Sequence, residues 1–276
     1  EVLKPLQDDK NVMPYEMMDF VNNYTYWRAL YRMGGDLQTL KVLLNAGFPV
    51  IVEKGFEPAN LKKEGWMGHY NLVLGYDDST QIFTTMDSYL LIHPPGGGEI
   101  SDVKSFPGFS VTYEDMLKNW RAFNNVFIVI YPQEKLNDVL NALGPLANDQ
   151  DANRIAYERA MHEASTLSDP RDRFFAWFNV GTSLVNLLLA EKPDAVLTHG
   201  SSGEYGHPAH LLCHSAMLAA FEKLPADKPV LYTFQAAFPD HPKPRIMNEN
   251  DEAHLVLDVS QVLDKKLAAT LCHRTQ

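Results

Sequence analysis

A histidine and an aspartate flank two neighbouring apolar runs in the first third of the chain. His69 opens the run His69–Tyr76, and Asp87 closes the run Gln81–Asp87. Between the runs, Asp77–Thr80 has the composition of a turn, so we predict a β-hairpin. Because the start of one antiparallel strand lies beside the end of the next, the hairpin would bring His69 and Asp87 within side-chain reach. A histidine oriented by a carboxylate is the base half of a nucleophilic triad, although such a pair is more often a structural hydrogen bond.

A second group of polar residues follows the short apolar strand Ala195–Thr198. The stretch His199–His210 is rich in glycine and histidine, and it follows the carboxyl end of a strand, where ligands bind in open α/β sheets. His210 and His214 are four residues apart on a helix that starts at Pro208, so together they could contact a metal ion. About as often, such a pair is two polar residues at a helix start, and catalytic zinc normally has three protein ligands.

The elements that must position these residues change in character along the chain. The apolar spacing predicts a helix over Met13–Arg32, a short helix over Leu37–Asn45 and a buried strand over Phe48–Glu53. Two amphipathic helices, Ala152–Ala164 and Phe174–Leu188, then follow without intervening strands. We therefore expect an α+β protein with a helical spacer between two mixed regions.

Composition narrows the class of protein. With 276 residues, a single domain is possible, but two are favoured. The 45% of hydrophobic and 21% of charged residues are typical of a soluble globular protein. A net charge of −11 argues against a nucleic-acid partner. No apolar run reaches about 18 residues, so no membrane span is predicted.

The two cysteines, Cys213 and Cys272, form no disulfide framework or CxxC motif. They do not decide between the bacterial cytoplasm and secretion as the compartment of the protein.

The first half of the chain is similar to a known family in the segments Phe48–Glu53, Gly68–Tyr70 and Asp87–Tyr89. Over about residues 1–132, it resembles the papain-like cysteine peptidases of the bacteriocin-processing, C39-like bacterial family. The resemblance implies a papain-like fold and a peptide substrate.

The same resemblance assigns roles to two residues, but it identifies no residue here as the nucleophile. It implies that His69 is the catalytic base and that Asp87 orients it. The family's nucleophilic cysteine sits at the start of a helix upstream of the segment with which this chain begins, and nothing in Glu1–Asp36 could replace a thiolate. The chain also begins with Glu rather than Met, so we expect that an N-terminal piece is missing.

The last third resembles a second family in Lys192–Asp194, Gly203–His210 and Cys272–Gln276. Over about residues 190–276, it is similar to the PIG-L/LmbE zinc-dependent N-acetylglucosamine de-N-acetylases. The similarity implies a Rossmann-like α/β fold, an N-acetylated sugar substrate and zinc as the cofactor.

Three residues take roles from this second resemblance. His210 would be a zinc ligand, while His207 and Tyr205 would stabilise the oxyanion as water attacks the amide. The family's first motif, of the Ala-His-Pro-Asp-Asp-Glu type, supplies further ligands and the base, and it is not found here; Ala209 also replaces the usual acidic residue between the two histidines. We therefore expect a weak or incomplete zinc site.

We predict three regions. They are a cysteine-peptidase-like domain over 1–133 that lacks its nucleophile segment, a helical spacer over 134–188, and the C-terminal portion of a deacetylase over 189–276. Within the spacer, Ala176–Leu184 resembles the first helix of a tetratricopeptide repeat. We expect a fragment or fusion of two hydrolases with low or no turnover. The alternatives are a live zinc-dependent de-N-acetylase and a non-catalytic peptide-binding module.

Overall fold

The chain divides by its internal contacts into two compact units, and each is described separately. The computed structural model describes residues 12–56, 67–92, 94, 100, 102–203, 208–233, 251, 254–255 and 260–271. Unit 1 comprises 1–193 with 219–227, and unit 2 comprises 194–218 with 228–276. Helices combined with an antiparallel sheet agree with the predicted α+β class. The domain boundaries expected after residues 133 and 188 stay predictions.

Unit 1 is built on a six-stranded antiparallel sheet with helices packed on it. Its strands are β1 (Trp27–Arg32), β2 (Val50–Phe56), β3 (Met67–Asp77), β4 (Ile82–Met86), β5 (Phe109–Thr112) and β6 (Phe127–Pro132). Its helices are α1 (Pro14–Tyr24), α2 (Leu37–Asn45), α3 (Ser88–Ile92), α4 (Tyr113–Trp120), α5 (Leu136–Leu143), α6 (Asp149–Thr166) and α7 (Pro170–Glu191). The strand order is β1-β6-β2-β3-β4-β5, so β2 and β3 lie at the centre.

The buried core lies between one face of this sheet and the helices α2, α4 and α5. Val50 and Val52 on β2, and Val73 on β3, have no exposed surface. The helices contribute Leu40, Leu43, Met116, Trp120, Val139 and Leu143 to the same cluster. Alternate residues of β2 and β3 therefore face the core, and this alternation continues towards the candidate site.

The helix expected over Met13–Arg32 is wrong in its second half. The helix ends at Tyr24, and Trp27–Arg32 forms edge strand β1 instead. Thr25 ends the helix, since both its hydroxyl and its backbone N–H donate to the carbonyl of Val21. Pairing with β6 then decides the conformation of the segment, and the apolar spacing of one segment cannot reveal such a distant partner.

One side chain of α1 also covers the open edge of β1. The backbone N–H of Ala29 donates to Oδ1 of Asn22 at 2.8 Å, and Nδ2 of Asn22 donates to the carbonyl of Ala29 at 3.0 Å. The carboxamide thus pairs with the edge as a further strand would. This contact protects an edge that could otherwise pair with another chain.

Helices α6 and α7 form the expected pair and are joined to the sheet region by Arg121, which follows α4. Nε of Arg121 donates to Oε2 of Glu163 at 2.9 Å, and its Nη1 lies 3.3 Å from Oδ2 of Asp172. Nδ2 of Asn179 donates to the backbone carbonyl of Arg121 at 2.7 Å. One residue therefore contacts both helices of the pair.

Among the described residues, α7 is the one helix with the length and composition to cross a membrane. Its Asn179 and Ser183 are buried and hydrogen-bonded within unit 1, where the helix packs along α6. Polar side chains that are satisfied inside the protein are typical of a helix face that packs on neighbouring elements. A firm membrane span is therefore not supported.

Unit 2 contains a two-stranded parallel sheet. The strand expected at Ala195–Thr198 is present as β7, and it pairs with β8 (Val230–Thr233). The helix expected from Pro208 to Lys223 is present as α8, and its residues up to Leu218 belong to unit 2. Helix α9 spans Leu263–Leu271 in the same unit.

Removing the Arg121 side chain should loosen the helical pair. We expect Arg121→Met to lower the free energy of unfolding in urea by about 2 kcal/mol, because it leaves two partly buried carboxylates without their cation. Arg154→Met is the matched control, since Arg154 also pairs with two carboxylates, Asp151 and Glu158, but on the exposed side of α6. Its loss should be much smaller than that of Arg121→Met, because exposed ion pairs contribute little to stability. Equal losses would contradict this account.

Candidate active site

The hairpin expected around His69 and Asp87 is present. β3 and β4 pair antiparallel, with Leu72 opposite Met86, so the start of β3 lies beside the end of β4. The turn is fixed by Asp77, whose Oδ1 accepts hydrogen bonds from the backbone N–H and the hydroxyl of Ser79. Between Val73 and Gly75 the register shifts by a β-bulge, near the turn and away from His69.

The structure brings His69 and Asp87 into direct contact. Nε2 of His69 lies 2.8 Å from Oδ1 of Asp87, whose side chain has no exposed surface. The same oxygen accepts the backbone N–H groups of Tyr89 and Leu90 at 3.0 Å each, in the first turn of α3. The carboxylate is therefore held by the helix start, where negative charge is favoured.

This contact decides which nitrogen of His69 can act as a base. Burial alone would raise the pKa of Asp87, but hydrogen bonds from His69 and from the N–H of Leu90 hold that pKa below its ordinary value. An ionised carboxylate only accepts hydrogen bonds, so Nε2 carries the proton and donates it. In a neutral ring, Nδ1 would then carry the lone pair, and it is the nitrogen that could take a proton from a nucleophile.

Two further polar side chains reach the same carboxylate, and sequence analysis missed both. Nδ2 of Asn71 donates to Oδ2 of Asp87 at 3.0 Å, and Nζ of Lys54 lies 3.8 Å from that oxygen. Both residues are buried. Burial lowers the pKa of Lys54, while the charges of Asp87 and Asp115 act in the opposite direction.

A signal for these two residues was present in the sequence. Val50, Val52 and Lys54 alternate on β2, and Val73, Asn71 and His69 alternate on β3, so strand periodicity places all six on one face. The predicted strand ended at Glu53, one residue short of the lysine, although β2 continues to Phe56.

The opposite face of the same strands carries a second polar contact. Glu53 lies opposite Tyr70 in the register of β2 and β3, so the two side chains leave the same face of the sheet as neighbours. Burial raises the pKa of Glu53 to about 7, although its side-chain interaction with Tyr70 opposes the shift. Burial and the Glu53 charge also raise the pKa of Tyr70, whose hydroxyl donates to the carbonyl of Val12 at 2.7 Å. At neutral pH, Glu53 is therefore present in both the protonated and ionised forms.

In unit 2, His210 lies in the first turn of α8, whereas Tyr205 and His207 lie outside the described residues. The ring of His210 stacks on that of His199, with 3.9 Å between centroids and 9° between planes. His214 donates from Nδ1 to the carbonyl of His199 at 2.8 Å, which leaves its Nε2 as the nitrogen that could bind a ligand.

These histidines do not form a zinc site by themselves. An imidazole binds a metal along a lone pair in its ring plane, so two parallel stacked rings cannot direct their lone pairs at one ion. Within the described ranges, no three His, Cys, Asp or Glu side chains are grouped closely enough to hold a metal. The described residues therefore do not fit the expected cofactor, and the ligand role of His210 stays a prediction.

Residues 5–128 match the family model of the Peptidase_C39 like family. The matched stretch includes β2, β3, β4 and the start of α3, and hence all four side chains of the cluster around Asp87. It agrees with the resemblance found over about residues 1–132.

Two curated relatives are deacetylases. The chain is 29% identical over 140 residues to 1D-myo-inositol 2-acetamido-2-deoxy-alpha-D-glucopyranoside deacetylase 1 of Saccharopolyspora erythraea, with 41% of this chain and 45% of the relative covered. It is 27% identical over 115 residues to the deacetylase of the same substrate name from Gordonia bronchialis, with 34% and 41% covered. The chain thus spans less than half the length of these relatives. No solved structure gives a significant match.

The elevated pKa of Glu53 predicts a particular pH dependence of stability. Its folded pKa lies above the ordinary value of 4.5, so its contribution is fully present below pH 4.5 and is lost as the pH rises through about 7. We expect Glu53→Gln to raise the free energy of unfolding by about 1–2 kcal/mol at pH 8 and by little at pH 4. Urea unfolding at both pH values measures this. Glu134→Gln, at an exposed glutamate, is the control and should give no such difference; a Glu53→Gln gain independent of pH would refute the account.

Proposed function

We propose that residues 5–128 form a peptidase-like module that holds a base and its orienting carboxylate, but performs little or no peptide hydrolysis in this chain. The observation that carries the proposal is the 2.8 Å contact of His69 with Asp87 inside the stretch that matches the Peptidase_C39 like family. The comparisons support a hydrolase-type function. The base, the orienter and the low turnover are our own assignments.

Peptide hydrolysis at such a site requires a base, an orienting carboxylate and a nucleophile. His69 would accept a proton at Nδ1, and Asp87 would hold the ring and stabilise the imidazolium that forms. The proton would come from a thiol, whose sulfur then attacks the peptide carbonyl. The two cysteines, Cys213 and Cys272, both lie outside residues 5–128. No thiol lies among residues 5–128, so a nucleophile for this pair would have to come from outside them.

For the C-terminal region, we propose a deacetylase-like module that recognises an acetylated sugar, with little or no turnover. The support is the distant similarity to two deacetylases whose names specify a 2-acetamido sugar. From the sequence motif, we assign His210 as a metal ligand. We assign His207 and Tyr205 as the groups that would stabilise the oxyanion. We also propose that α6 and α7 are a tetratricopeptide-like pair that serves as the spacer, which rests on the sequence of Ala176–Leu184 alone.

The peptidase proposal predicts the response to thiol reagents. Iodoacetamide should modify only Cys213 and Cys272, and any hydrolysis of a fluorogenic peptide library should be unchanged. His69→Ala should change that rate by less than about twofold, whereas the loss of a working triad histidine costs orders of magnitude. The double variant Cys213→Ser with Cys272→Ser is the matched control and should behave like the alkylated protein. Hydrolysis that disappears on alkylation would show that one cysteine serves the site.

The deacetylase proposal predicts weak metal binding. After dialysis, elemental analysis should find well under one zinc per chain, and N-acetylglucosamine derivatives should not be deacetylated, because a single firm ligand cannot supply the three that catalytic zinc usually requires. His254→Ala, at an exposed histidine, is the control for adventitious zinc. One tightly held zinc that is lost in His210→Ala but kept in His254→Ala would instead establish a complete site and favour a live deacetylase.

A further inference from the structure

Helix α7 has a row of apolar side chains on the side away from its buried residues. We call this row the outer stripe; it consists of Phe174, Phe178, Gly181, Thr182, Val185 and Leu189. Spacings of three and four residues place these residues on one face of a helix, over a length of about 22 Å. Phe174 and Phe178 are 63% and 59% exposed, and Leu189 is 44% exposed. A continuous apolar row of this kind indicates an interaction surface.

The shape of the outer stripe suits a second helix. The rings of Phe174 and Phe178 stack, with 6.5 Å between centroids and 22° between planes, so they form one raised surface. The centre is lower, because a Cβ added at Gly181 would meet no described atom within 4 Å. The hydroxyl of Thr182 donates to the carbonyl of Phe178, so it requires no partner outside the helix. A second helix could therefore approach closely at the centre of the stripe.

The outer stripe is also complementary to itself, because its spacing is symmetric about the point between Gly181 and Thr182. In an antiparallel pair of α7 helices centred there, Phe178 of one copy faces Val185 of the other, and Phe174 faces Leu189. Each contact sets an aromatic ring against an aliphatic side chain, and each occurs twice because a two-fold axis relates the copies. A parallel pair would instead set each phenylalanine against its own copy and align the two helix dipoles.

We propose that the outer stripe of α7 is an interface with a second copy of this chain, packed as an antiparallel helix pair. All residues of the stripe belong to unit 1. The interface uses neither the residues around Asp87 nor the histidines of unit 2. It is therefore independent of the functions proposed above.

A lipid surface is the other environment that an apolar helix face could enter. The net charge of −11 opposes an approach to anionic membranes. A bilayer also places no requirement on the order of side chains along the stripe, whereas a two-fold pair requires the symmetric order that is found. The second copy is therefore the occupant that these observations favour.

The size of the outer stripe determines how strongly two copies associate. Each phenylalanine exposes on the order of 100 Å², and two complete stripes would bury roughly 800 Å² in total. Stable interfaces bury about 1,200–2,000 Å². The pairing also sets Arg171 opposite Lys192, a like-charge contact that salt screens. We therefore expect a weak, reversible dimer that strengthens when salt is added.

Sedimentation velocity on the full chain, from about 5 to 500 µM, tests the association. We expect the average sedimentation coefficient to rise with protein concentration, and more steeply at higher salt. Phe178→Ser should weaken dimerisation by about tenfold or more, since an aromatic contact near the centre is lost twice. Phe20→Ser is the matched control, because Phe20 is a 43% exposed phenylalanine on another helix, α1, and its loss should leave the association unchanged. Circular dichroism checks that both variants are folded.

Engineered cysteines test the antiparallel register. Phe178→Cys and Val185→Cys proteins, each also carrying Cys213→Ser and Cys272→Ser, are oxidised with copper phenanthroline, separately and as a mixture. Facing positions of the pair lie within reach of a disulfide, whereas two copies of residue 178 are about 10 Å apart along the helix axis, as are two copies of residue 185. We therefore expect a covalent dimer from the mixture and not from either protein alone.

Three results would overturn the proposal. One is a chain that stays monomeric over the whole concentration range. Another is cross-linking of each cysteine protein with itself, which indicates a parallel pair. The third is a monomer that binds phosphatidylcholine vesicles and loses this binding in Phe178→Ser, which would assign the outer stripe to a lipid surface.

Discussion

The carboxylate of Asp87 has no contact with solvent, and a buried charge is tolerated only where donors surround it. Its donors come from separate parts of the chain: the end of β2, the start of β3 and the first turn of α3. The register of the central strands must therefore be correct before the charge is compensated. A slip of one residue in β2 would turn Lys54 to the other face of the sheet and leave the carboxylate without its cation. The site and the sheet register thus depend on each other.

Much of this arrangement could be predicted from the sequence, because it depends on local patterns. The hairpin follows from two apolar runs and a turn, and the proximity of His69 and Asp87 follows from antiparallel geometry. The predicted strand over Phe48–Glu53 stops one residue before Lys54, because it follows the apolar run. The strand alternation of β2 continues past that point to Phe56. Strand β1 was predicted as helix because its conformation depends on pairing with β6, about a hundred residues later in the chain.

In the C-terminal region, motif and geometry give different amounts of information. The sequence motif assigns ligand chemistry to His210, but a motif does not determine the directions of lone pairs. The stacking of His199 on His210 fixes the two ring planes parallel, an arrangement that suits packing and not shared coordination. By contrast, Nε2 of His69 points at Oδ1 of Asp87, which is the contact that a base and its orienting carboxylate require. The physical support for chemistry is therefore stronger around His69 than around His210.

The β-bulge between Val73 and Gly75 divides β3 into two parts whose side-chain alternation is set independently. The part before the bulge is aligned with β2 and carries His69 and Asn71. The part after it is aligned with the hairpin turn, and Leu74, the additional residue between the two, is 39% exposed. A change of sequence at the turn can thus alter the conformation around Leu74 without rotating His69. The tip of the hairpin can diversify in evolution while the site beneath it keeps its geometry.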